Sequence, residues 1–311
     1  MKKTRRKTRK KHLPRWLIPT LFGVLAMLIA ILIWPSDAQY DVKHDVKKQA
    51  HVERHAPVYE DIKVAPAHVD VVEPKLVHKK VYQYDVLKQR GIALIIDDVG
   101  YDLPALKRIL DLKLPIAISI IPDAPHAKEA AEMAHQAGAI VMLHMPMEPM
   151  NPHYRERMDD SFLRGDMSEN TVQAMLLHGL KKVPYVQGVN NHMGSFLTSM
   201  SEPMAWVMQF CRDNHLFFVD SKTSAKSVAA DIAASYGLTW GARRVFLDHS
   251  VKEDDIKKAW LSAQHCAKRQ GGCIVIAHPH PETLDFLERK VSHIKPETMR
   301  AVVDLLHVPQ G

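Results

Sequence analysis

At 311 residues the chain has room for one large or two ordinary domains, and an apolar fraction of 46% excludes global disorder. The formal charge of +7 suggests nucleic acid until it is located: residues 1–15 hold nine Lys and Arg and no acid. Taking those nine from the 42 basic residues leaves 33 against 35 acidic ones, so the body has no basic bias for binding nucleic acid.

Behind that basic tail, "WLIPTLFGVLAMLIAILIW" (residues 16–34) is free of charge and as a helix would span about 28 Å, enough for one membrane crossing. Trp16 and Trp34 sit at the headgroup positions, and the Lys/Arg cluster should stay cytoplasmic, sending everything from Pro35 onward across the membrane. The alternative is a cleaved signal peptide, because Ser36-Asp37-Ala38 has small residues at the cleavage spacing, but the apolar run is long for a signal. The expected arrangement is a bacterial inner-membrane anchor with the rest of the chain in the periplasm. Residues 35–88 mix charge, His, Val and Pro without a clear period, and Pro57, Pro66 and Pro74 break any helix; they read as an extended linker with scattered, solvated histidines.

From residue 89 to 311 the pattern turns regular. Branched apolar runs at 92–96, 116–121, 139–145, 186–190, 216–220, 245–248 and 273–277 predict seven strands, and helical patterns lie between them. Pro125 leads into a helix closed by Gly138, and Ser168 with Glu169 opens another. Alternating strands and helices require a parallel sheet covered by helices, doubly wound or closed into a barrel. Three cysteines are too few for a disulfide framework; Cys266 and Cys273 would be able to pair outside the cytoplasm, but a buried apolar role for Cys273 is the simpler expectation.

In parallel α/β architectures ligands bind at the C-terminal ends of the strands. Six of the seven expected strands finish there in Asp, Asn or His: Asp97-Asp98, His144, Asn190-Asn191-His192, Asp220, Asp248-His249, and His278 with His280 close behind. Adjacent side chains on a strand face opposite ways, so Asp97 and Asp98 share a site only where the chain bends, which Gly100 permits. One carboxylate and two imidazoles suit a catalytic divalent ion, since three protein ligands leave a position for water. His144 and His192 fit that role with one of the two aspartates; the other aspartate would orient or deprotonate the water, and His278 would protonate a leaving group. Such a site hydrolyses an amide or ester. Met142, Met145 and Met147 read as core packing.

The segments "IALIIDDVG", "HMPMEPM", "GVNNHMGS", "FFVDSKT", "VFLDH" and "IAHPHPETL", in this order over roughly residues 90–308, resemble the divergent polysaccharide deacetylases, a branch of the polysaccharide deacetylase (carbohydrate esterase) superfamily. The resemblance implies a deformed (β/α) barrel of seven strands. It also implies Asp98, His144 and His192 as ligands of a divalent metal, most simply zinc, Asp97 as the base and His278 as the general acid. The main branch carries both metal histidines in one H-x-x-x-H motif; only His144 of "LHMPMEP" occupies that region here, so the second comes from "NNHMGS". The main branch's R-P motif is absent, which leaves Arg155, Arg157, Arg164 and Arg243 as candidates to contact an anionic substrate or neighbouring acids. Asn191, Glu148, Asp220, Asp248 and His280 are candidates for touching substrate or supporting the ligands. The expected activity is removal of N- or O-acetyl groups from an envelope polysaccharide, peptidoglycan among them, with metal-bound water as nucleophile. The alternative is a non-catalytic glycan- or protein-binding member of the same fold. A metal phosphoesterase shares the Asp/His vocabulary but would want two metals and more carboxylates.

Overall fold

The computed structural model describes residues 82–84 and 90–310. The expected basic tail, membrane anchor and nearly all of the linker lie outside these residues. Among the described residues no helix is long and apolar enough to cross a membrane.

Strands and helices alternate along the domain: β1 (Gly91–Val99), α1 (Leu103–Asp111), β2 (Ala117–Ile120), α2 (Ala127–Gln136), β3 (Ile140–Met147), a short α3 (Pro152–Arg155), α4 (Glu169–Lys182) and β4 (Val186–Met193). They continue as α5 (Ser201–Asp213), β5 (Phe217–Asp220), α6 (Ala229–Ser235), β6 (Trp240–Ala242), β7 (Val245–Phe246), α7 (Glu253–Gln270), β8 (Gly272–Ala277) and α8 (Pro281–Val291). Local chemistry sets several of these boundaries. The Asp102 carboxylate accepts from the Ala105 N–H to cap α1, the Ser168 hydroxyl accepts from the Thr171 N–H to cap α4, and Gly138 ends the turn after α2 at a φ of 75°.

All strand pairs are parallel, in the order β6-β5-β4-β3-β2-β1-β8-β7. Among the described residues the sheet has eight strands, not the seven expected. The extra one is β6, whose three residues, Trp240-Gly241-Ala242, are too short and too glycine-bearing to give a period-2 signal. β6 and β7 occupy opposite edges of the sheet yet are joined by Arg243 and Arg244 alone. Three Cα–Cα steps reach at most about 11 Å, so the sheet must curl until its edges nearly meet. Backbone bonds anchor the connecting dipeptide on each side of this seam: the Arg243 N–H donates to the Asp220 carbonyl at the end of β5, and the Arg244 N–H donates to the Ile274 carbonyl of β8.

Side-chain alternation divides the core in two. Ala93 and Ile95 of β1, Ala117 of β2, Met142 of β3, Phe217 and Val219 of β5 and Ile274 and Ile276 of β8 fill the barrel interior, with Val302, Leu305 and Leu306 packed among them. The opposite phase, including Ile92, Leu94, Ile96, Leu143, Val189 and Phe218, packs beneath the helices. Within the stretch read as linker, the Tyr84 hydroxyl shares its one proton between the carbonyls of Ala234 and Leu238, each 3.1 Å away, and Tyr84 bridges to Pro309.

Cys266 on α7 and Cys273 on β8 form a disulfide with a Cα–Cα distance of 5.6 Å, correcting the expectation that Cys273 is only a small buried apolar residue. The β8 strand begins two residues after α7 ends, and that tight reversal at Gly271 brings the two thiols together. Closing so short a loop is worth about 2.5 kcal/mol on the chain-entropy account. Reduction is therefore expected to lower the urea midpoint of the wild type but not of a Cys266→Ser/Cys273→Ser variant; equal midpoints with and without reductant would argue against the pairing.

Candidate metal centre

The inward phase of the strands carries polar side chains to the C-terminal rim. Asp97 follows Ala93 and Ile95 on β1, Ser119 follows Ala117 on β2, and His144 follows Met142 on β3. Asn190 and His192 follow Gly188 on β4, and His278 follows Ile274 and Ile276 at the end of β8. Strict alternation would turn Asp98 out towards the helices. Its φ of 57° and a register shift in the β1–β2 ladder between Ile96 and Val99 turn it to the rim instead. The bend that lets two neighbouring acids share one site therefore begins at Asp98 itself. Gly100 is also needed, at a φ of 122°, where a Cβ would lie 2.6 Å from that of Ala124.

Asp98, His144 and His192 converge there. Asp98 Oδ1 lies 3.1 Å from His144 Nε2 and 2.8 Å from His192 Nδ1, and one ligand atom from each residue lies within 4.8 Å of the others. Neither contact has hydrogen-bond geometry: both Asp98 oxygens are buried without a hydrogen-bond partner. A buried carboxylate in that state is costly unless a charge satisfies it. Donors 2.0–2.2 Å from a tetrahedral ion stand about 3.3 Å apart, so this spacing and donor set fit a divalent cation.

Without a cation, protons carry the balancing charge. Burial disfavours ionisation of Asp98, but His192 and His144 overcome it and hold the carboxyl well below its usual range. Burial also disfavours an imidazolium at His144, yet the facing Asp97 and Asp98 carboxylates and the Asn190 amide raise it to about 9. Asp97 moves the other way: burial raises its pKa, against the opposing influence of His144 and His278.

His278 stands across the rim, its Nε2 3.8 Å from Asp98 Oδ2. Its Nδ1 pairs with Asp248 Oδ1 at 3.0 Å, while Asp248 Oδ2 accepts from the His278 backbone N–H and the Thr283 hydroxyl. Burial opposes charge on His278, and Asp248 outweighs it, raising the pKa. His280 joins Asp248 and His278 in a second cluster with metal-ligand spacing, but both Asp248 oxygens are already engaged, so Asp248 acts as a brace for His278. Burial lowers the pKa of His280, and neighbouring His278 adds to the effect.

The remaining candidates make their contacts with the loops around the Asp98–His144–His192 cluster. Glu148 touches no site histidine: Oε2 accepts from the Gly165 N–H at 2.8 Å and Oε1 pairs with Arg155 at 2.9 Å, clamping the loop after β3. Asp220 accepts from the Lys222 N–H and the Ser227 hydroxyl and shapes the turn into α6. The Arg243 guanidinium donates to the carbonyls of Ser221 and Lys222 and lies 4.8 Å over the Phe246 ring, tying the β5 loop across the barrel seam. Arg155 lies over Phe196, and Arg164 donates to the Asp159 carbonyl. Asn191 faces away from the cluster, its amide spent on the Ser221 N–H and the Met193 carbonyl.

Sequence reasoning selected Asn191 and passed over its neighbour. Asn190 is fully buried; its Oδ1 lies 2.9 Å from His144 Nδ1 and accepts from the Ser119 hydroxyl, and its Nδ2 donates to Asp97 Oδ1 at 2.8 Å. The signal was available in the period of β4, where Asn190 shares a face with His192 and Asn191 does not.

A family profile described as "Divergent polysaccharide deacetylase" matches residues 94–304. An uncharacterized protein of Escherichia coli (YibQ) is 36% identical over 220 residues, 70% of this chain and 68% of its own length. An uncharacterized protein of Haemophilus influenzae is 35% identical over 214 residues, covering 69% of this chain and 75% of its own. Among solved structures, the uncharacterized protein ATU2773 of Agrobacterium tumefaciens superposes with a TM-score of 0.65 at 19% identity, over 72% of this chain and 92% of that one, a likeness of fold.

Proposed function

Because this chain belongs to the divergent polysaccharide deacetylase family, we propose that it is a metal-dependent hydrolase removing N- or O-acetyl groups from an envelope polysaccharide. The observation that carries this reading is the buried, hydrogen-bond-free Asp98 carboxylate held between His144 and His192, with Asp97 and an Asp248-braced His278 on either side. Asp98, His144 and His192 would hold the ion, for which zinc suits two imidazoles and one carboxylate. A divalent ion bound there supplies Lewis-acid polarisation of an acyl oxygen and brings the pKa of a water towards about 7.

The protein's own groups then divide the proton transfers. Asp97 Oδ1 is engaged by Asn190, leaving Oδ2 to face the cluster, 3.7 Å from His144 Nε2. A carboxylate whose proton affinity is raised by burial is suited to accept a proton there. His278 directs Nδ1 to Asp248, so Nε2 is the atom that presents a proton to a leaving nitrogen or oxygen. Phe246 packs on the His278 ring, with centroids 5.0 Å apart, and helps hold its orientation.

The envelope setting rests on the basic and apolar segments of residues 1–34 and is supported by the Cys266–Cys273 disulfide, since such bonds persist in oxidising compartments. Acetate release from N- and O-acetylated glycans, peptidoglycan included, tests the activity. Release from at least one glycan class is expected, whereas glycan binding without release from any would favour the non-catalytic reading.

A further inference from the structure

We propose that Asn190, held by Ser119, is a positioning residue that sets the metal-facing nitrogen of His144 and the proton-accepting oxygen of Asp97 at once. The role in metal binding follows from geometry alone, and the role in turnover rests on the deacetylase reading above.

A primary amide has two acceptor positions and two donor hydrogens, and Asn190 uses all four. Oδ1 meets the Ser119 hydroxyl and His144 Nδ1; Nδ2 donates to Asp97 Oδ1 and, at 3.3 Å, to the Ser221 hydroxyl. An amide oxygen has no proton to give, so His144 Nδ1 must be the donor, and its Nε2 is the nitrogen turned towards Asp98. Rotating the amide by 180° would set Oδ1 against the Asp97 carboxylate, two acceptors face to face. The Ser119 hydroxyl opposes the same rotation, because it donates to Oδ1 in the observed arrangement. Ser119, His144 and Asn190 come from three adjacent strands, β2, β3 and β4, and Ser119 and Asn190 are fully buried. One amide thus joins the strand that carries a ligand to the strand that carries the base.

Two substitutions separate the two roles. Asn190→Leu removes both halves of the amide; Asn190→Asp keeps the oxygen that accepts from His144 and Ser119 but puts a second carboxylate against Asp97. Zinc affinity, measured by chelator competition on the purified full chain, is expected to fall roughly 10- to 100-fold in Asn190→Leu and to stay near wild type in Asn190→Asp. Visible absorption of the cobalt-loaded proteins should follow the same split, with the wild-type spectrum kept by Asn190→Asp and altered in Asn190→Leu. Acetate release should drop in both, through lost metal in one and a misplaced Asp97 in the other. Thermal unfolding of the metal-free variants identifies any general loss of fold. Wild-type affinity in Asn190→Leu, or equal loss of affinity in both variants, would overturn the proposal. Absence of acetate release from the wild type with the affinity split intact would instead count against the deacetylase reading and leave the metal-positioning role standing.

Discussion

The wild type is expected to bind about one divalent ion per chain, and replacing Asp98 with asparagine together with His192→Ala is expected to abolish that binding. Asn is the right partner for this test because, like Asp, it tolerates the left-handed backbone that position 98 adopts at a φ of 57°, whereas alanine would add strain to the loss of charge. A protein-bound zinc with a full ligand set is worth about 10–16 kcal/mol, so each ligand accounts for about 3 kcal/mol, or roughly two orders of magnitude in affinity. Losing two of three protein ligands therefore takes the site below the affinity needed to retain an ion through purification. Elemental analysis of the purified variant reads the result directly. An unchanged metal content would mean that the ion, if any, sits elsewhere, and the assignment of the site would fall with it.

Asp97→Asn should give the opposite pattern: metal retained, turnover lost by roughly 10²- to 10⁴-fold, the usual worth of a positioned general base. The distances support this division, because Asp97 Oδ2 is 3.7 Å from the nearest ring nitrogen of His144 while Asp98 is in direct contact with two imidazoles. An asparagine at 97 still offers its carbonyl oxygen to Asn190 Nδ2, so the hydrogen-bond frame survives and only the capacity to take a proton is removed. The informative readout is kcat at saturating substrate and metal. A kcat within about threefold of the wild type would assign the base to another group.

Much of the site was legible from residue order. Parallel strands buried on both faces leave long apolar runs, and the polar residues that end them fall on one rim by topology, which is why Asp97, Asp98, His144, His192 and His278 stood out together. Capping chemistry at Ser168 and the glycine stop at 138 also read correctly. Where the outcome differed, contacts between separate elements and loops decided it. The eighth strand, at residues 240–242, takes its partners from Phe218–Asp220, and nothing in three residues announces that pairing. Arg243, read as a candidate for an anionic substrate, is instead spent on two carbonyls of the β5 loop, since the barrel seam passes through it. Glu148 closes on Arg155 and the Gly165 N–H because the loop after β3 folds back over the strand end, an arrangement its local sequence does not encode.

The difference between Asn190 and Asn191 is of another kind, because the period-2 rule assigns Asn190 to the face of His192 from sequence alone. Asp98 breaks this rule through a left-handed backbone and a local slip in the ladder. A strict reading by phase would have placed it beneath the helices. The same departure leaves its carboxylate buried without a hydrogen bond between two histidines. Backbone irregularity and the proposed ligand role thus coincide at one residue, the pattern expected where function overrides regular structure.

Activity is expected to depend on the ion. Protein stripped by a chelator and titrated with zinc should regain acetate release in proportion to bound metal, with saturation at about one ion per chain. Release that survives complete removal of metal, or that does not return as the Asp98 site refills, would contradict it.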